Sequence, residues 1–445
     1  MKTSIQKFSF FVVLSVFAAF LVVVAFSTPA RAEKDKDSKI IPGQYIVVFK
    51  DNVANPDSAT TEIESKHKLG HLYSYRRAFK GFTATISDTE LNSVKNDPRV
   101  AFISEDRIVT ALDSNEDSVG VFSSHGSRMN DFKQQRPSKP AQVIPTGVAR
   151  INAVGKANKG AGVNVAVIDT GIDLKHPDLA ANIAGGVNCS SGTSYQDGNG
   201  HGTHVAGTIA ALDNTIGVVG VAPQAKLWAV RVLNNSGSGT WSSVICGIDF
   251  VTAHASTIKV ANMSLGGMGT SDNNCGLTNS DALHAAICRS RDAGVTYVVA
   301  AGNGDAYGNP VNASGFVPAA YDDAVVTVSA LADSDGKAGG VGAPTSYGAD
   351  DTFASFSNYG NIVDIGAPGV NIYSTWVGGG YNTISGTSMA APHVTGSAAL
   401  YIATHPGAMW TQVRDALVTL GEPAGSGHTN PTGFHPEPIV KATSL

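Results

Sequence analysis

Between residue 163 and about residue 403, continuous apolar runs alternate with helix-like stretches, and this alternation restricts the fold more than any other feature of the chain. The runs at 163–168, 226–232, 260–264 and 296–301 are predominantly apolar, without the regular polar alternation of a half-exposed strand. A strand of that kind must be covered on both sides, which antiparallel hairpins seldom achieve and helical crossovers do. The expected architecture is α/β: a doubly wound, mostly parallel sheet flanked by helices. Such sheets present their functional groups at the carboxyl ends of the strands, so polar residues that end apolar runs are the first candidates for a site.

At 445 residues the chain exceeds what one core usually organises, and a smaller module is expected beside the large one. Residues 45–49, 81–86 and 100–103 read as strands, 59–69 as a helix, and 87–91 as a capped helix start, which makes a small α+β domain over about 42–112. Residues 113–140 turn to Ser, Gly, Asn, Gln, Lys and Pro without periodicity, the composition of an exposed, cleavable linker. Lys2 and Lys7 precede an apolar run at 8–26 and the small-residue site Thr28-Pro29-Ala30-Arg31-Ala32. This pattern predicts a signal peptide over 1–32 and export; the competing reading is a membrane anchor. A formal net charge of −5 gives no reason to expect a nucleic-acid partner.

Export makes disulfides the expected state of Cys189, Cys246, Cys275 and Cys288. Three pairings are open; Cys275 with Cys288 would close a short loop, leaving Cys189 with Cys246. No CxxC or His-Cys cluster in the sequence argues for zinc.

Three segments carry the chemistry. Asp169 ends the apolar run in NVAVIDTGID, where a carboxylate can be buried against backbone donors; taken alone, such an Asp is more often a turn residue. In DGNGHGTHVAGTIAAL, His201 stands where a small-residue helix begins, whereas His204 falls inside that helix and reads as structural. In ISGTSMAAPHVTG, Ser388 lies at the start of another small-residue helix, whose unpaired N–H groups can stabilise a developing oxyanion. Ser385 and Thr387 are alternative hydroxyls, and Pro392 is expected in the first turn, where a missing N–H costs little.

In their sequence and order these segments resemble the subtilisin-like serine proteases, the subtilase family. The resemblance implies that Ser388 is the nucleophile, His201 the general base and then general acid, and Asp169 the group that fixes the imidazole tautomer. It further implies that Asn303, in VVAAGNG, donates to the oxyanion. Ser264, Leu265 and Gly266 would pair with an extended substrate on one side and Gly237, Ser238 and Gly239 on the other. The resemblance also places Phe316 near the base of the P1 pocket, where its ring would favour small or medium side chains. A structural Ca²⁺ is implied at ALDNTIGVVGVAP, held by Asn214 and the carbonyls of Leu212, Ile216 and Val218, with Asp178 and Gln142 completing an oxygen set suited to a hard cation.

The segment 45–112 resembles the family's propeptide, a ferredoxin-like intramolecular chaperone and inhibitor. Glu105 and Asp106 precede Leu112 at the family's usual interval, which predicts autocleavage after Leu112 with Val109 at P4. The matched mature start lies near Ala141, within a peptidase domain at 141–445. The resulting expectation is an exported, monomeric, broad-specificity endopeptidase acting on proteins and peptides. A maturation protease with few targets would share all these residues; an inactive binding protein on the same fold would be expected to lack one of them.

Overall fold

A computed structural model describes residues 39–112 and 140–445. The expected signal peptide and the 113–140 linker up to Pro140 lie outside the described residues.

The N-terminal region runs β1 (Ile40–Phe49), α1 (Pro56–His67), β2 (Gly70–Tyr75), β3 (Gly81–Thr85), α2 (Asp88–Lys95), β4 (Val100–Ala111). Its strands pair antiparallel in the order β4-β1-β3-β2. Helix α1 starts where Asn55 accepts from the N–H of Ser58 with Pro56 in the first turn, and it stops at Lys68, which turns left-handed. Strand β1 is apolar on both faces for two reasons. Val47 and Phe49 enter a local core with Ile63, Phe82, Ile86 and Val94, while Ile46 and Val48 join the main core of the molecule.

The larger region contributes α3 (Thr146–Arg150), β5 (Asn164–Asp169), β6 (Ile183–Asn188), α4 (His201–Ala210), β7 (Lys226–Arg231), β8 (Ser238–Thr240), α5 (Trp241–Ala253), β9 (Ile258–Met263) and β10 (Leu265–Met268). It continues with α6 (Ala282–Asp292), β11 (Thr296–Ala300), β12 (Phe316–Val317), β13 (Val326–Ala332), β14 (Thr352–Phe353), β15 (Ile365–Pro368), β16 (Ile372–Trp376), β17 (Gly380–Ile384), α7 (Thr387–Thr404) and α8 (Trp410–Leu420). The main sheet is parallel in the order β6-β7-β5-β9-β11-β13-β15, with only β14 added antiparallel.

Every residue of β11 and β13 is buried, as a sheet covered on both faces requires. Helices α4 and α7 pack together against the sheet, and α5 packs with α6. Among the described residues, no helix is long and apolar enough to cross a membrane. Disulfides join Cys189 to Cys246 and Cys275 to Cys288, tying the end of β6 to α5 and the loop before α6 to that helix.

Candidate active site

Asp169 is the last residue of β5 and His201 the first of α4, so the strand end and the helix start meet at one point. His201 Nδ1 lies 2.8 Å from Asp169 Oδ1 and 3.0 Å from Oδ2, with both side chains buried. The N–H of Thr170 donates to Asp169 Oδ1 at 2.7 Å, a charge-assisted bond that stabilises the buried carboxylate. The close approach depends on Gly202, because a Cβ there would stand 2.2 Å from the carbonyl oxygen of Gly171 and 3.1 Å from Asp169 Cβ. Asp197 shapes the turn before His201. Its carboxylate accepts from the N–H groups of Asn199 and Gly200 in the turn and of Thr203 in the first turn of α4, a donor with no partner within the helix.

Ser388 is the second residue of α7, and its hydroxyl donates to the Ser264 carbonyl at 3.1 Å. Pro392 is not in the first turn, as the sequence suggested, but the sixth residue of the helix. Its missing N–H would have bonded the carbonyl of Ser388 four residues earlier. That carbonyl instead accepts the Ser264 hydroxyl at 2.9 Å, which is how the helix keeps an internal proline beside Ser388. Asn262 donates to Ser264 Oγ at 2.9 Å and accepts from the Thr395 hydroxyl at 2.8 Å, so the support for Ser388 is itself tied down.

Asn303 follows β11, and its amide is oriented by hydrogen bonding. Oδ1 accepts from the N–H of Thr387 at 2.8 Å and from its hydroxyl at 2.7 Å. The NH₂ group is thereby turned outward, where it donates to the carbonyl of Leu112 at 3.0 Å.

Leu112 arrives at this point at the end of an added strand. Strand β4 pairs antiparallel with β8 on one side, Val109 opposite Gly239, and with β10 on the other, Leu265 opposite Ala111 and Gly266 opposite Thr110. The N–H of Ala111 donates to Gly237 and that of Leu112 to Ser264. Both expected wall segments therefore hold the same extended chain. Val109 and Leu112 are buried, each contributing about 1.5–3 kcal/mol by burial. The ring of Phe316 lies against Gly266 and Gly302, where a Cβ would come within 2.3 and 3.1 Å of it respectively.

The rest of the N-terminal region is fastened at several points. Asp106 accepts from the N–H of Ser242 in the first turn of α5 at 3.0 Å, a favourable place for a carboxylate. Asp249, on the same helix, accepts from the successive N–H groups of Arg76, Arg77 and Ala78. The Tyr75 hydroxyl donates to the Ser242 carbonyl, and the Arg107 guanidinium lies 4.8 Å over the Trp241 ring. Burial raises the carboxyls of both Asp106 and Asp249 above their ordinary range.

His204 is structural: its Nε2 bonds the Ile372 carbonyl at 2.9 Å, and burial lowers it to about 3. His393 in α7 is likewise buried, lowered to about 4, with Nδ1 bonded to the Met389 carbonyl.

The residues of the expected calcium loop converge. Asp178 is fully buried and accepts from the N–H of Val218 at 2.9 Å, the Asn214 amide at 2.7 Å and the Tyr381 hydroxyl at 3.3 Å. None of these donors carries a charge, and burial raises the Asp178 carboxyl. Gln142 Oε1 accepts from the N–H of Asn214, and Ala141 and Val143 bridge to Ile216 and Val218, so the start of the larger region lies on this loop. A buried carboxylate in no ion pair among the described residues, beside amide and carbonyl oxygens, is a donor set that fits a hard cation.

A second group of carboxylates had not been singled out in the sequence. Asp333, Asp335 and Asp350 each place an oxygen within 4.8 Å of the others, an arrangement that could hold a metal such as Ca²⁺. The alternating acids of Asp333-Ser334-Asp335-Gly336 were the available signal. The parts played by Asp197 and Thr387 were not legible although both lie in the quoted segments, and Asp249 lies in no motif, because each role depends on which distant or backbone groups the side chain meets.

Residues 160–432 match the family model described as the Subtilase family, and residues 44–112 match Peptidase inhibitor I9. Subtilisin NAT of Bacillus subtilis subsp. natto is 36% identical over 404 residues, covering 89% of each chain. Subtilisin DY of Bacillus licheniformis is 43% identical over 281 residues, covering 62% of this chain and 91% of that protein. The crystal structure of a cold adapted subtilisin-like serine proteinase aligns with a TM-score of 0.54 at 34% identity, over 67% of this chain and 98% of that one.

Proposed function

The chain belongs to the subtilase family, and on that premise we propose that it is a secreted serine endopeptidase of broad specificity, made as a zymogen inhibited by its own N-terminal segment. The observation that carries this reading is the placement of Leu112, its carbonyl under the Asn303 amide at the end of a strand held on both edges. That is how a substrate's P1 residue would present itself. Backbone pairing reads no side chain, which favours broad specificity; the Phe316 ring at the pocket base is read as the limit on P1 size.

In the proposed reaction the Ser388 hydroxyl leaves the Ser264 carbonyl, turns to His201 Nε2, and gives up its proton as Oγ attacks the P1 carbonyl carbon. Asp169 holds Nδ1–H and stabilises the imidazolium. The oxyanion is met by the Asn303 amide and the Ser388 N–H. His201 then passes its proton to the departing amine, leaving an acyl-enzyme that water hydrolyses by the same steps in reverse.

The proposed organisation is a signal peptide at 1–32, a propeptide at 42–112, a linker at 113–140 and a peptidase domain at 141–445. The β4-β1-β3-β2 order with α1 and α2 supports a ferredoxin-like reading of the propeptide. First cleavage falls after Leu112. We assign a structural Ca²⁺ to Gln142, Asp178 and Asn214 with the carbonyls of Leu212, Ile216 and Val218. When bound, the ion would neutralise Asp178 and hold the loop against Gln142; it takes no part in the chemistry. The deciding measurement is hydrolysis of casein, expected to be blocked by a serine-directed covalent inhibitor and not by thiol reagents. A processed but inert protein would overturn the reading.

A further inference from the structure

We propose that Asp333, Asp335 and Asp350 form a second Ca²⁺ site, separate from the Gln142 loop, which clamps the segment between β13 and β14. The three carboxylates come from two stretches of chain that meet beyond the end of β13, and their nearest oxygens lie within 4.8 Å of one another. At Ca–O distances of roughly 2.3–2.6 Å, oxygens on opposite sides of one ion stand about 5 Å apart, so a single ion can touch all three.

The local hydrogen bonding leaves a specific deficit. Asp350 is satisfied by the Ser334 N–H and hydroxyl at Oδ1 and by the Gly342 N–H at Oδ2. Asp335 accepts from the Lys337 N–H through Oδ1. Asp333 is only 2% exposed; its Oδ1 accepts from the Gly336 N–H, but its Oδ2 has no partner among the described residues. An unpaired buried carboxylate oxygen bears the full cost of its desolvation unless a cation takes the place of water. Here the neighbours increase that cost, since two more carboxylates face it.

No basic side chain supplies the missing charge. Among the described residues, none of the three acids has a Lys, Arg or His within ion-pair distance. The cation whose charge reaches Asp333, Arg150, is already held by Asp351 at 2.7 Å and by Glu422 at 2.7 Å. Burial and the Asp351 carboxylate push Asp333 up to about 7, the direction expected where negative charge is crowded. The ligand class is a hard divalent cation because every donor is oxygen. Ca²⁺ is favoured over Mg²⁺ because carboxylates pinned by backbone N–H groups cannot readily close to a regular octahedron at about 2.0–2.1 Å.

The test uses the full chain in a Ser388→Ala background to prevent autolysis, and it reads ion binding and melting temperature instead of proteolysis, so it is independent of the catalytic reading. Calcium stoichiometry is measured by equilibrium dialysis, with Mg²⁺ as the competing probe. The parent is expected to bind one more Ca²⁺ than Asp333→Asn, while Asp178→Asn loses a different ion and leaves this one in place. The melting curves should cross: with Ca²⁺ present Asp333→Asn melts below its parent, and in excess chelator it melts at or above it, because the amide removes repulsion. A merely structural Asp333 would lower melting in both conditions. Asp335→Asn, at the more exposed position, gives the same readout if Asp333→Asn fails to fold. Equal stoichiometry in parent and both variants, or a chelator response unaltered by them, overturns the proposal.

Discussion

The side-chain amide of Asn303 donates to the carbonyl oxygen of Leu112 at 3.0 Å. A peptidase meets a carbonyl in this way where it is about to cut or has just cut. The same contact makes the propeptide an inhibitor, because a strand paired on both edges with its last carbonyl beneath the oxyanion donor leaves no room for another peptide. On the proposed reading, inhibition and self-processing are two uses of one geometry.

Asn303→Ala should lower kcat far more than it raises KM on a peptide substrate, because the amide is aimed at charge that develops only in the transition state. The loss expected is about 10²–10³-fold, the range established for the corresponding donor of a subtilisin and not an independent estimate. A variant with unchanged kcat would remove Asn303 from the reaction.

Thr387→Val tests the orientation of that amide. Its hydroxyl is one of two donors on Asn303 Oδ1 and also accepts from the Gly302 N–H at 3.1 Å. Losing one hydrogen bond of about 1 kcal/mol should reduce kcat roughly five- to tenfold with KM little altered. Thr387→Ser, which keeps the hydroxyl, should restore most of the rate. A KM effect with constant kcat would assign Thr387 to binding instead.

Ser388→Ala should leave the precursor intact at Leu112, and mass analysis of the purified chain reads this directly. The parent is expected to yield a fragment ending at Leu112; cleavage of the Ala variant at the same bond would mean that another protease performs the first step.

The sequence revealed the parallel sheet because its strands are apolar on both faces, a pattern that survives without knowledge of neighbours. Asp169 and His201 stood out as candidates for a related reason, being polar residues at the end of an apolar run and the start of a helix, but only the resemblance of the joined segments gave them and Asn303 their expected roles. Strand β2 was missed because Gly70–Tyr75 is an edge strand with little burial. Strand β4 was expected over 100–103, yet it runs on to Ala111 because β8 and β10 supply partners that no local pattern announces. Pro392 was misplaced for the same kind of reason: the Ser264 hydroxyl that makes an internal proline tolerable comes from a segment distant in sequence. The disulfides followed from loop length in one case and from elimination in the other.

Excess chelator should lower the melting temperature of the full chain, through both the Asp178 loop and the Asp333 cluster. Asp178→Asn should shrink that drop without abolishing it. The carboxylate's hydrogen-bond donors are all neutral, so in the proposed assignment a bound ion compensates its burial. An unchanged melting curve in chelator would remove the calcium assignment at Gln142 and Asp178.

His393 should make stability fall with acid. Its ring is fully buried in α7, and burial lowers it from an ordinary 6.5 to about 4. In the unfolded chain it takes a proton as pH drops through 6.5, while the folded chain refuses that proton until about 4. Protonation therefore favours the unfolded state across this window, and the stability present above 6.5 is progressively lost on the way to about 4. The full loss is ~3 kcal/mol, at about 1.36 kcal/mol for each tenfold change in proton affinity. His393→Asn can still donate to the Met389 carbonyl but does not titrate, so its urea midpoint should decline less between pH 6.5 and 4 than that of the parent, both compared in the Ser388→Ala background. Parallel pH profiles for the two proteins would show that His393 is not the group responsible.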